Sequence, residues 1–203
     1  MEEEIRRYLK WAGQYGPAYK ELERKLSSYT AAVQIRLTEE TQSSLEISDA
    51  ESDILFSNER RPLTWEGYLR LKKLALVSAE DFQRLFDSMP DASKALFPPR
   101  NTFYGPLPCT AREIYEYTMN VNSYYFGEIG VTAEDGPDIA ACRREGSSAL
   151  EKIPGFLQNS VQKDSFGEEW SLRKVCRRFI WHDCIHARAM YRRACNFLEK
   201  SAF

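Results

Sequence analysis

Both histidines of this 203-residue chain stand in one hexapeptide, Trp181-His182-Asp183-Cys184-Ile185-His186. Spaced four residues apart in a stretch that reads as helix, they share one helix face and can reach a single metal ion. Zinc, nickel, iron and manganese all accept imidazole. A catalytic metal site takes about three protein ligands and leaves a coordination position open. The chain has no third histidine, so another residue type must complete any such set. The other reading makes His182 and His186 interior side chains, hydrogen-bonded to neighbours such as Tyr117, Ser78 or Asn120, because H-x-x-x-H is a short and common pattern. Cys184 lies between the two but points to a different face, where burial suits it better than nucleophilic attack. Cys142 is read in the same way, as packing.

The element that positions the pair is a last helix from about Ser171 to Glu199. Its seam is Leu172, Val175, Phe179, His182, His186, Ala189 and Arg193, so both imidazoles are expected to point inward. Arg173, Lys174, Arg177, Arg178, Arg188 and Arg192 fall mostly off that seam and read as a solvated, dipole-complementing face. Arg193 is expected to pair with Glu128. Three further helices precede it. The first is capped by Thr64, carries Tyr68, Leu71, Ala75, Ser78, Phe82, Leu85 and Met89, and stops near Pro90. The second opens with Thr110 and Glu113 as a capping box; its seam is Ile114, Tyr117, Val121, Tyr124 and Glu128, with Gly130 at its end. The third carries Ile139, Cys142, Gly146, Ala149 and Ile153 before Pro154-Gly155. Four apolar stripes of this length are most simply buried in a four-helix bundle, whose interior is also where metal sites are built.

The remainder of the chain sets the frame. Residues 1–63 are expected to form an N-terminal appendage to a bundle over residues 64–203. The appendage has two short helices, residues 2–12 and Tyr19 to Tyr29. Extended or irregular chain follows over residues 30–62, with Asn58 to Pro62 as a linker. A net charge of -2 gives no general case for nucleic acid or an anionic membrane surface. No apolar run approaches the roughly 18 residues that span a bilayer. The acidic Met1-Glu2-Glu3-Glu4 start lacks the pattern of a signal peptide, and a cytoplasmic location is expected. The five cysteines are odd in number and scattered, so reduced thiols are expected.

Residues 64–203 resemble the DinB/YfiT-like family of four-helix bundles. The resemblance is carried by Trp170-Ser171-Leu172-Arg173-Lys174-Val175 leading into His182-x-x-x-His186, and by Thr110-Ala111-Arg112-Glu113-Ile114 opening the second helix. It implies a divalent metal (zinc, nickel, iron or manganese) held by three histidines, one from helix two and two from helix four. The helix-four pair falls on His182 and His186, and the helix-two position falls on Tyr117. Tyr117 is therefore the expected third ligand, with Glu113 and Asn120 as other oxygen donors within reach; Glu116 sits about 100° off the seam. The implied function is a metal-dependent enzyme of a small molecule, a transferase of thiol groups or a hydrolase, with Tyr117 and His182 as catalytic residues. A homodimer is expected. Two alternatives stay open: a metal-free bundle that binds a small molecule in an aromatic pocket, and a metal-free acid–base pair of Tyr117 and His182.

Overall fold

A computed structural model describes residues 39–40, 53–89, 91–94, 101–102, 105–165 and 167–201, with side chains to Tyr191 in the last helix. The chain divides into two units, Met1–Glu40 and Thr41–Phe203, and nearly all described residues belong to the second. The expected helices at residues 2–12 and 19–29, and the alternating stretch after them, lie outside the described residues. So does the Arg193 side chain expected to meet Glu128.

The described chain is mostly helical, as the apolar periodicity requires. Helix α1 (Trp65–Asp87) starts where Thr64 Oγ1 accepts from Gly67 N at 3.0 Å. It buries Tyr68, Ala75, Ser78, Phe82 and Leu85 of the seam read from sequence, with Ala79 beside them; Leu71 and Met89 of that seam are half-buried. Two residue pairs then form a small antiparallel ladder, β1 (Asn101–Thr102) with β2 (Gly105–Pro106).

Helix α2 (Ala111–Met119) has the capping box that its sequence announces. Thr110 Oγ1 accepts from Glu113 N at 3.0 Å and Glu113 Oε2 accepts from Thr110 N at 2.9 Å. The expected continuous second helix breaks at Asn120 and Val121, and α3 (Asn122–Gly127) resumes after the break. The buried face keeps its spacing across the break, one residue on from the expected seam. Ile114, Tyr115 and Thr118 are buried on α2, then Asn122, Tyr125 and Phe126 on α3, whereas Tyr117 and Tyr124 of the expected seam are 46% and 49% exposed.

Helix α4 (Ile139–Leu150) is capped by Asp138, whose carboxylate accepts from Ala141 N at 2.7 Å. Gly146 lets this helix meet α3 closely: a Cβ there would lie 2.3 Å from Phe126 Cε2. The chain then turns through Gly155 and Asn159, both left-handed, and pairs β3 (Gln162–Lys163) with β4 (Glu169–Trp170). Helix α5 (Leu172–Ser201) closes the chain, with Lys174 N donating to Ser171 Oγ at 3.3 Å in its first turn.

Helix α1 packs along α5 and α4, α2 lies on α5, and α3 bridges α4 and α5. Tyr68, Phe126, Leu150, Trp170, Val175 and Phe179 belong to one continuous apolar cluster between them. Asn58 to Pro62 is not a linker. Ser57–Arg60 is a 3-10 turn held against α5, and Glu59 is buried. Its carboxylate accepts from Arg177 Nε at 2.5 Å, and its carbonyl accepts from Asn159 Nδ2 at 2.6 Å and Ser171 Oγ at 2.8 Å. No described helix is long and apolar enough to cross a membrane.

Candidate functional site

Helix α5 presents three residue sets at successive angles, and each has a different job. The first set is the histidine pair. The imidazoles of His182 and His186 stand 4.3 Å apart between ring centroids, one turn apart on the same face. Tyr117 of α2 faces both, at 5.9 Å from His182 and 5.1 Å from His186. Tyr125 of α3 meets His182 edge-on at 5.9 Å. His182 is 5% exposed and His186 half-buried, while Tyr117 forms the rim toward solvent. The three site residues read from sequence thus lie together, with the phenol at the rim rather than in the interior.

Two features of His182 bear on its chemistry. Its Nδ1 is buried and has no hydrogen-bond partner, an uncommon state for a buried polar atom. Burial holds its pKa well below the ordinary 6.5, with His186, Arg178 and Arg143 adding in that order. His182 is therefore a neutral imidazole near pH 7, the form that accepts a proton or ligates a metal.

The second set lies about 100° round the helix, as a shift of one residue dictates. Asp183 accepts from Arg143 of α4 at 2.5 and 3.1 Å, a two-pronged pair with side chains only 2% and 1% exposed. Ser78 of α1 donates to the same carboxylate at 2.6 Å. Ser78 is thus committed to Asp183, not to a histidine. Arg143 also donates to Ala75 O at 2.9 Å and to Asn122 Oδ1 at 3.1 Å, with its guanidinium 4.1 Å above the Phe179 ring. Asn122 Nδ2 is buried with no partner. This cluster ties α1, α3 and α4 to α5.

The third set corrects the expectation of a solvated basic face. Lys174 is fully buried and donates to Glu168 Oε1 at 2.6 Å, Asp53 O at 2.6 Å and Glu169 O at 2.7 Å. Arg177 pairs with Asp53 and Glu59. Arg178 is buried, lies 3.4 Å from Tyr125 Oη and 3.8 Å from Asp53 Oδ2, and stacks 4.7 Å from the Trp181 ring. These cations clasp residues 53–61 to α5.

Other sequence candidates fall away from the rings. Glu113 caps α2 and also accepts from Cys109 N at 2.6 Å. Asn120 and Glu116 are exposed, and Cys184 and Cys142 are half-buried. Among the described residues no group of three or more His, Cys, Asp and Glu is placed to hold a metal. Sequence reasoning missed Arg143 and Asp183 and read Arg178 as part of a solvated face. The available signal was that Asp183 and Arg143 each sit four residues beyond an apolar position of their own helix, Phe179 and Ile139. No family model, no curated protein and no solved structure matches the chain.

Proposed function

We propose that residues 64–203 form a DinB-like four-helix bundle that works as a metal-dependent enzyme on a small molecule. In this reading His182, His186 and Tyr117 hold the metal, and the reaction is thiol transfer or hydrolysis. The observation that carries it is the convergence of the three rings around a buried, unpartnered His182 Nδ1. The donor set fits a metal: two imidazoles and a phenol supply three ligands and leave the side toward solvent open. When bound, such a metal polarises substrate and lowers the pKa of a coordinated thiol or water. The chain's own contributions are orientation and exclusion of water: Tyr125 and Arg178 wall the inner side, and the half-exposed Tyr117 marks the approach.

Metal analysis of the full chain, purified without added metal or chelator, tests the proposal. Stoichiometric metal that disappears in His182→Ala supports it. Metal-free protein whose melting does not respond to zinc, nickel, iron or manganese overturns it. One observation favours a second reading, a metal-free acid–base site. Burial, with His186, Arg178 and Arg143 adding to it, keeps His182 neutral, the state in which an imidazole can accept a proton. Metal-free protein with an activity lost in Tyr117→Phe would select that reading.

A further inference from the structure

We infer that the first turns of α1 and the chain just after α4 form a docking surface for a partner protein, and that the surface takes an acidic segment carrying large apolar side chains. This face shares no residue with the histidine site, and its role does not depend on the metal reading.

Its apolar centre is built from two elements. Trp65 and Leu69 are four residues apart on α1, so they share a face, and they are 50% and 42% exposed. Trp65 meets Phe156 edge-on at 6.2 Å between ring centroids and lies 5.6 Å from Tyr68. Ile153, whose carbonyl accepts from Phe156 N at 3.3 Å, is 38% exposed in the same turn. Exposed apolar side chains gathered in this way mark interaction sites, and tryptophan is enriched among the residues that carry binding energy.

The rim decides what the centre takes. Over residues 61–73 and 150–157 the basic residues are Arg61, Arg70, Lys72, Lys73 and Lys152, and the acidic ones only Glu66 and Glu151. That is an excess of three positive charges on a chain whose net charge is -2. Both carboxylates are already engaged. Glu66 accepts from Arg70 at 2.5 Å, and Glu151 accepts from Lys72 at 2.7 Å and from Tyr68 at 2.8 Å. Arg61, Lys73 and Lys152 are exposed, and no carboxylate of these two segments offsets them. An apolar centre with a cationic rim is complementary to apolar anchors flanked by aspartate or glutamate. A second copy of this chain would bring like charges face to face, which opposes pairing through this surface. A lipid surface fits less well: Trp65 packs against Tyr68 and Phe156 rather than projecting alone, and Glu66, 75% exposed beside it, would meet anionic headgroups.

The test pans a random-peptide display library on the immobilised full chain. Enriched peptides should combine aspartate or glutamate with leucine, phenylalanine or tryptophan, and one of them, synthesised with a fluorescent label, gives an affinity by anisotropy. Trp65→Ala should weaken that binding at least about thirtyfold, the loss expected of an interface hot spot. Lys73→Glu with Lys152→Glu should weaken it at least about tenfold and flatten its salt dependence. Both lysines are exposed, so the charge-reversed chain tests the rim even where Trp65→Ala lowers the melting temperature. Enriched peptides without acidic residues, binding unchanged in the charge-reversed chain, or a library that yields no enriched peptide overturns the inference. Binding to phosphatidylserine vesicles, or dimerisation, that both sets of substitutions abolish would assign the surface to a lipid or to a second copy, and overturns it as well.

Discussion

Asp183 and Arg143 make the sharpest quantitative test of how this chain positions its histidines. Their side chains are 2% and 1% exposed. Asp183→Ala removes two Arg143 hydrogen bonds and the one from Ser78. The guanidinium then stays buried with only Ala75 O and Asn122 Oδ1 as acceptors. Removing one partner of a buried pair costs about 3–5 kcal/mol. For a chain of this size that is a drop of about 6–20 °C in melting temperature, at roughly 2–4 °C per kcal/mol. Arg143→Met should cost a similar amount, because Asp183 keeps only the Ser78 hydroxyl.

The double variant Arg143→Met, Asp183→Leu behaves differently. It removes both charges of this pair from the interior, and the new side chains face Phe179 and the α1 backbone. Swaps of this kind are often neutral or stabilising by about 1–4 kcal/mol. Urea unfolding followed by circular dichroism gives all three numbers. The reasoning is refuted if each single variant costs less than about 1 kcal/mol, the range of an exposed pair. It is equally refuted if the double variant costs the sum of the singles, because two coupled groups cannot be additive.

Two further outcomes follow from the same interior. Gly146→Ala puts a methyl 2.3 Å from Phe126 Cε2 and should destabilise by about 1–3 kcal/mol through overpacking; an unchanged urea midpoint would mean that α3 and α4 are farther apart. In chelator-treated protein, His182 has a folded pKa below its unfolded value of about 6.5. The unfolded chain binds the extra proton first, so this contribution is complete above about pH 6.5 and is lost as pH falls from there toward the folded value. The limiting slope for one such group is about 1.4 kcal/mol per pH unit, and His182→Gln should flatten the stability profile between pH 5 and 6.5; a profile identical to the parent's excludes the assignment.

What was legible in the sequence was local. Thr64, and Thr110 with Glu113, announce helix starts because the capping partner is three residues away and the geometry admits few alternatives. The α1 seam was legible because 23 unbroken residues hold one phase. The seam of the second helix was drawn one residue out of phase. Its buried positions, Ile114, Thr118, Asn122 and Tyr125, step by three and four across Asn120 and Val121, so the seam drawn through Tyr117, Val121 and Tyr124 misses them by one residue. The His182, His186 and Tyr117 grouping needed only the short α2 register and one helical turn of α5, and those rings do lie together. Charged residues were the systematic failure. Lys174, Arg177 and Arg178 read as surface, and Asp183 and Arg143 went unread, because their partners lie on other elements. Arg143 is 40 residues from Asp183, and Asp53 is 124 from Arg177; periodicity carries no information about pairs at that separation.

Those misread charges resolve an ambiguity that apolar burial leaves open. The buried positions of α5 include Val175, Cys176, Phe179, His182, Asp183, Ala187 and Met190, an arc spanning more than one face of the helix. Rotation by one residue, about 100°, would keep much of that arc covered while exchanging Asp183 for His182 opposite Tyr117. The Arg143–Asp183 pair, closed by Ser78, permits only one of these settings. In the Arg143→Met, Asp183→Leu chain the apolar arc remains and that restriction is gone. The imidazole Cε1–H resonances of His182 and His186 should then broaden or split, although the urea midpoint is preserved. A single, unshifted pair of resonances would mean that shape alone sets the rotation of α5, and the buried ion pair would have no part in aiming the histidines.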